Sequence, residues 1–104
     1  RIKLVDAGSQ LTARESPEIR ELGLPSYYWG TNAIHGLQNV ECLKNGKCPT
    51  SFPAPCGLGA TFDMSIVEEM GKIIGDELRA YFNSFVHNSL DTWSPTINIA
   101  RDPR

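Results

Sequence analysis

The clearest pattern in the chain is a helical one in its second half. Between about Ser65 and Asn83, apolar residues recur at the i, i+3, i+4, i+7 spacing of one helix face. They are Ile66, Val67, Met70, Ile73, Ile74, Leu78, Tyr81 and Phe82. Either Asp63 or Ser65 can cap the start, and Ser65 with Glu68 matches a capping box. We therefore predict one amphipathic helix that needs an apolar partner.

Two shorter segments are typical of β-strands. Leu24 to Gly30 is rich in aromatic residues, and Asp91 to Ala100 forms a second candidate with Pro95 near its start or at a bulge. Upstream, the residues from Pro17 to Leu22 predict a short helix or turn that Gly23 ends. Strand, helix and strand in this order are typical of a βαβ unit with parallel strands. Two strands and one helix cannot cover each other's apolar faces, so we expect a piece of a larger α/β sheet.

The stretch between the first strand and the helix is interrupted by proline and glycine and predicts an extended loop over residues 36–59. Cys42 and Cys48 bracket Asn45-Gly46, a strong turn signal, so we expect a small disulfide-closed loop, with two free thiols as the alternative. Cys56 is left over, either as a small buried residue or as the partner of a cysteine elsewhere. A disulfide would place the protein in an oxidising compartment.

Size and charge exclude several classes of protein. The chain has 104 residues, enough for one core at most, with 40% hydrophobic and 21% charged residues. A formal net charge of -2 argues against nucleic acid as the main partner. No stretch approaches the ~18 apolar residues of a membrane span. No secretory leader is visible, but the first residue is Arg rather than Met, so we expect the true start to be missing.

Four stretches of the chain together resemble glycoside hydrolase family 3, especially its β-xylosidase-like members. They are GLPSYYWGTNAIHG, TSFPAPCGLGATFD, IGDELRAYFN and WSPTINIARDPR. They occur in the family's order and spacing, and the RDPR ending combined with the AIHG turn makes the set specific. The resemblance implies an α/β fold, a partial (β/α)8 TIM barrel. Residues 1–104 would be an N-terminal fragment that supplies the first two parallel strands, one connecting helix and a long loop.

The activity implied by this resemblance is exo-acting, retaining hydrolysis of a β-glycosidic bond, with xylose or arabinose units favoured and xylan as a source of substrate. Retention requires two carboxyl groups ~5–5.5 Å apart. In the family both lie downstream, so no carboxylate of this chain receives either role. We expect a carbohydrate substrate, no cofactor or metal, and a secretory, lysosome-like or extracellular location. The remainder of the barrel and a following domain would be partners. A β-glucosidase of the same family, or a non-catalytic structural or sugar-binding component of an extracellular assembly, is the alternative.

The residues expected nearest the sugar follow the first strand. The position matching Asn32 is often Asp or Glu in relatives, where it binds hydroxyls of the innermost sugar. An amide still offers a donor and an acceptor but loses the stronger charge-assisted bond, a difference of ~1–2 kcal/mol. Asn32 is therefore expected to contact sugar, or otherwise to stabilise a turn. Trp29 or Tyr28 could form a platform for a sugar ring, although buried barrel core is the favoured interpretation of either.

The remaining candidates are expected to support the pocket. We interpret His35 as a structural histidine because no nucleophile is paired with it, and His87 as a solvated loop residue. Arg101 and Asp102 are expected to form a charge network under the pocket. Trp93 and Asn98 are assigned to core and scaffold.

Overall fold

The structure is a computed structural model that describes residues 14–97 and residue 99. In chain order its elements are β1 (Glu15–Ser16), a 3-10 helix (Arg20–Leu22), β2 (Tyr27–Tyr28), α1 (Pro55–Gly59) and α2 (Met64–Asn83). Asn98, Arg101 and Asp102 lie outside the described residues, so the roles predicted for them stay predictions.

Helix α2 is the predicted amphipathic helix, and it begins one residue earlier than expected. Asp63 caps it: its Oδ1 accepts from the Ser65 amide at 2.9 Å and from the Ser65 hydroxyl at 2.6 Å. These hydrogen bonds lower the pKa of Asp63. The predicted capping box is wrong, because the Ser65 hydroxyl is engaged by Asp63 and Glu68 instead pairs with Lys72 at 2.6 Å.

The apolar stripe of α2 is buried along only part of its length. The main core joins the helix to the segment after β2 and consists of Ala33, Leu37, Ile74, Leu78 and Tyr81. Met70 packs partly against this core. Ile66 and Ile73, however, are 42% and 36% exposed. The helix therefore has an apolar partner along one side and lacks one along the rest of its predicted stripe.

The strand predictions are only partly correct. Of residues 24–30, only Tyr27–Tyr28 form a strand, and it pairs antiparallel with Glu15–Ser16. The second predicted strand is wrong over residues 91–97, which have no strand pairing, and the chain bends at Pro95. The 3-10 helix agrees with the predicted short helix or turn, and Gly23 ends it with a left-handed φ of 65°.

Residues 28–31 and 88–93, called the first and second segments below, each overlap one end of a predicted parallel strand and lie side by side. The Tyr28 amide donates to the Asn88 carbonyl at 3.3 Å, and the Trp93 amide donates to the Thr31 carbonyl at 2.8 Å. Both residue numbers increase from the first contact to the second, so the two segments run in the same direction. They are joined through α2, but two hydrogen bonds do not make a regular ladder.

The stretch from 36 to 59 is a loop, as predicted, except for the single-turn helix α1 at its end. It is attached to α2 by hydrogen bonds. The Thr50 amide and hydroxyl donate to the Glu77 carboxylate at 2.5–3.1 Å, and the Tyr81 hydroxyl donates to the Lys47 carbonyl at 3.1 Å. Burial raises the pKa of Tyr81, with a smaller contribution from the Glu77 charge, so the hydroxyl stays a donor.

Candidate functional site

The candidate site is formed by residues that follow β2, at the end of the first segment. Thr31 and Ala33 are buried, whereas Asn32 between them is half-buried. The Asn32 carbonyl accepts from the Gln38 amide at 2.8 Å, which closes the turn after the segment. Within residues 14–97 the side-chain amide of Asn32 forms no hydrogen bond. An amide offers one group that donates and one that accepts, the combination that a contact to sugar hydroxyls uses.

Trp29 and Tyr28 differ from the expected core residues. Trp29 is 43% exposed, and its indole N–H donates to the Ser16 hydroxyl at 2.6 Å. Its ring lies 4.6 Å from that of Tyr27 in a tilted arrangement. Within the described residues Trp29 is not buried, because its ring lies over β1 at the surface; its burial in a barrel core stays a prediction. Tyr28 is half-buried, with its ring edge-on to His87 at 5.7 Å.

His35 occupies the turn that follows Asn32. It is half-buried, and the Gln38 side-chain amide donates to its Nε2 at 2.8 Å. The His35 carbonyl accepts from the Phe52 amide at 2.8 Å. Gly36 has a φ of 118°, and a Cβ there would overlap the Thr50 carbonyl oxygen. The contacts of His35 thus hold the turn and the long loop together.

His87 is buried, contrary to the expectation of a solvated residue. It is 8% exposed, and its Nε2 shares a hydrogen bond of 2.7 Å with the hydroxyl of the fully buried Thr31. Burial lowers the pKa of His87, and the Asp91 charge opposes that shift. Sequence reasoning missed this pair, because its members are 56 residues apart; the apolar residues Val86 and Leu90 flanking His87 were the available signal.

Trp93 and Cys56 also differ from expectation. Trp93 is 58% exposed within this chain, and the Arg14 guanidinium lies 5.2 Å from the ring centroid. Its burial in a barrel core stays a prediction. Cys56 is exposed rather than buried, because α1 is a single turn at the surface. The predicted disulfide between Cys42 and Cys48 is confirmed, with Cα atoms 4.3 Å apart across the turn.

A cavity of about 270 Å³ lies between the two segments and the first half of α2. Its lining is mostly apolar: Ala33, Ile34, Val67, Met70, Gly71, Ile74, Thr92, Ser94 and Pro95. Neither Asn32 nor Trp29 lines it. Among the described residues that line it, only Thr92 and Ser94 carry polar side chains, fewer than a sugar site typically presents, so the candidate sugar contact is placed at Asn32 instead.

Two further findings concern the described part of the chain. Among those residues, no group of three His, Cys, Asp or Glu side chains is placed to hold a metal ion. None of the described helices is both long and apolar enough to span a bilayer.

Comparison with known proteins identifies exo-1,4-beta-xylosidases among the relatives of the chain. The chain is 42% identical over 98 residues to a probable exo-1,4-beta-xylosidase of Aspergillus terreus and 39% identical to an exo-1,4-beta-xylosidase of Emericella nidulans. It is 40% identical to a probable exo-1,4-beta-xylosidase of Neosartorya fischeri. Each alignment covers 89% of the chain. The resemblance to β-xylosidases inferred from the four motifs is confirmed.

The alignments also show what share of the relatives' length the chain covers. The chain spans only 13% of the length of each of these three relatives. No family model and no solved structure matches the chain. The similarity therefore concerns one segment of proteins that are several times longer.

Proposed function

We propose that the chain is the first part of a catalytic (β/α)8 barrel in a β-xylosidase-like glycosidase of glycoside hydrolase family 3. The observation that carries this proposal is about 40% identity to exo-1,4-beta-xylosidases over nearly nine-tenths of the chain. The juxtaposed segments 28–31 and 88–93, which run in the same direction and are joined through α2, support the barrel.

The reaction proposed is exo-acting, retaining hydrolysis of a β-linked xylose or arabinose unit. One carboxylate attacks the anomeric carbon, and a second carboxyl group protonates the departing oxygen. In this proposal both groups lie in the part of the protein that follows residue 104. The role of this chain is to bind and orient the sugar.

Asn32 is the proposed sugar contact. It follows the first segment at its carboxyl end, the edge at which barrel enzymes place their binding residues. Its half-buried amide has no partner among residues 14–97 and can give and accept one hydrogen bond each to two sugar hydroxyls. An oxidising, extracellular or secretory location is proposed on the basis of the Cys42–Cys48 disulfide.

The test is hydrolysis of aryl β-xyloside, aryl α-arabinofuranoside and aryl β-glucoside by the full-length protein. We expect the xyloside or the arabinoside to give the higher kcat/KM. Preference for the glucoside would replace the xylosidase assignment by a β-glucosidase of the same family. No turnover of any of these substrates would contradict an enzymatic role and leave a sugar-binding or structural one.

Asn32→Ala tests the binding role in the same assay. Loss of hydrogen bonds to a neutral ligand costs ~1 kcal/mol each, so KM should rise about 5- to 30-fold for one or two lost bonds. Lys72→Ala is the matched surface control, because the Lys72 side chain is 70% exposed and its one ion pair among the described residues is with Glu68 on α2. An unchanged KM for Asn32→Ala would contradict the proposed contact.

A further inference from the structure

A buried polar cluster connects the two segments behind the candidate site. Thr31 and Ser89 are fully buried, and His87 is 8% exposed. A buried hydroxyl needs a hydrogen-bond partner, since leaving it without one costs more than the bond itself contributes. The Thr31 hydroxyl and His87 Nε2 form such a hydrogen bond at 2.7 Å, although the two residues are 56 positions apart in the sequence.

Thr31 is held by its main chain as well as by its side chain. Its carbonyl accepts from the Trp93 amide at 2.8 Å, while its hydroxyl meets His87. The next residue is Asn32, whose carbonyl is fixed by the Gln38 amide. The backbone of Asn32 is therefore fixed on one side by the turn and on the other by Thr31, which is bonded to His87 and to Trp93 of the second segment.

His87 lies between an aromatic ring and a region that contains a carboxylate. The Tyr28 ring lies edge-on at 5.7 Å. The Asp91 charge raises the pKa of His87, and the Asp91 carboxylate accepts a hydrogen bond from the Ser89 hydroxyl. Burial lowers the pKa of His87, so the ring is neutral near pH 7. Apolar side chains could fill the same space, but a directed hydrogen bond also fixes the position of Thr31 along the segment.

We propose that His87 is a positioning residue for the sugar contact at Asn32, acting through the Thr31 hydroxyl. This inference rests on the proposed function of Asn32. His87 touches no substrate in this arrangement. Its effect is to hold the backbone from which the Asn32 amide projects, because a displacement of ~1 Å in a binding group is enough to lose most of its hydrogen bonding.

The test uses the full-length protein and its KM and kcat for aryl β-xyloside. His87→Ala should raise KM roughly 5- to 10-fold, the equivalent of one misplaced hydrogen bond, while kcat changes less than twofold. His87→Gln should recover most of the loss, because its amide nitrogen can reach the Thr31 hydroxyl. Lys72→Ala, on the exposed face of α2, should leave both parameters unchanged. A purely structural role would lower the active fraction, and hence apparent kcat, without changing KM; that result would overturn the proposal.

Two double variants test the route from His87 to Asn32. In Thr31→Val and in Asn32→Ala backgrounds, His87→Ala should raise KM less than twofold further, because the connection is already broken. If the KM increases of the single variants instead multiply in both backgrounds, the proposed route is contradicted.

Hydrogen–deuterium exchange of residues 30–34 provides a readout that is independent of turnover. Exchange there should be faster in His87→Ala and normal in His87→Gln and Lys72→Ala. Unchanged exchange in His87→Ala would refute positioning. An unmodified protein without hydrolytic activity would contradict the proposed function, and the positioning role would then be decided by this exchange and by the Kd for xylose.

Discussion

Separated from the rest of its polypeptide, the 104-residue segment should not fold cooperatively. Only six of its described apolar side chains are buried: Ala33, Leu37, Leu58, Ile74, Leu78 and Tyr81. Full burial of a large apolar side chain contributes ~1.5–3 kcal/mol, so these six contribute at most about 18 kcal/mol. Ordering the backbone costs ~1–2 kcal/mol per residue, which already exceeds that contribution over the 20 residues of α2. We therefore expect the remaining burial to come from elements outside the segment.

The nature of the exposed surface supports the same prediction. Phe62, Phe85 and Ile97 are 95%, 97% and 88% exposed. Helix α2 would be about 30 Å long, but isolated helices of this length are marginal in water without a packed apolar face. The few buried apolar residues of the core cannot by themselves offset the entropy of ordering the loop between residues 36 and 59.

The assay is thermal and urea unfolding of the isolated segment, followed by far- and near-ultraviolet circular dichroism. We expect a shallow far-ultraviolet change, little near-ultraviolet signal and binding of a hydrophobic dye. Adjacent isoleucines of α2 provide a matched pair, since Ile73 is 36% and Ile74 8% exposed. In an unfolded segment Ile73→Ala and Ile74→Ala should behave alike. A cooperative transition that Ile74→Ala lowers by ~2–5 kcal/mol, with Ile73→Ala nearly neutral, would refute the reasoning.

Three further predictions concern the full-length protein. Gly36→Ala should lower the free energy of unfolding by about 2 kcal/mol or more, because Gly36 has a positive φ and the new Cβ would overlap the Thr50 carbonyl oxygen. Gly46→Ala is the control: Gly46 also has a positive φ (81°), but its Cβ would meet no atom within 4 Å, so the cost should be only about 1 kcal/mol. Equal shifts of the two variants in urea unfolding would contradict this. Cys42→Ser should lower the free energy of unfolding by about 2 kcal/mol, because the loop constraint is lost. In the unmodified protein, alkylation before reduction should label Cys56 but neither Cys42 nor Cys48. The pKa of His87 is lower in the folded than in the unfolded state, so its contribution to stability is complete above about pH 6.5 and is lost as the pH falls below that value. Urea midpoints at pH 7.5 and 5.5 should therefore differ more in the unmodified protein than in His87→Gln, and an identical difference in both would refute the assignment.

Local patterns predicted the helix and the small loop because their causes lie within a few residues. The stripe of α2 follows from periodicity, and its boundaries follow from the polar residues Asp63 at its start and Asn83 and Ser84 at its end. The Cys42–Cys48 bond follows from the turn between the two residues. The capping assignment was wrong in detail because Asp63 and Ser65 competed for the same role, and the carboxylate accepted two bonds from Ser65.

Features that depend on distant contacts were predicted poorly. Residues 91–97 have the composition of a strand, but a ladder needs a neighbour along its full length, and only Trp93 has a main-chain partner in the first segment. His87 was misplaced for the same reason, since its burial comes from packing against Tyr28 and Thr31. Asn32 was found through the resemblance rather than from local chemistry, because a single Asn after a strand is equally typical of a turn.

The order of elements connects the proposed fold to the proposed site. The chain leaves the first segment at Asn32 and enters the loop that leads to α2, so Asn32 lies at the carboxyl end of that segment. The second segment runs in the same direction, and its Trp93 amide meets the Thr31 carbonyl at that same end. In a (β/α)8 barrel this common end is where binding residues from successive strands converge. A residue that fixes the second segment to the first, as His87 does through Thr31, therefore also sets the distance between Asn32 and any sugar contact that follows Trp93 along the chain.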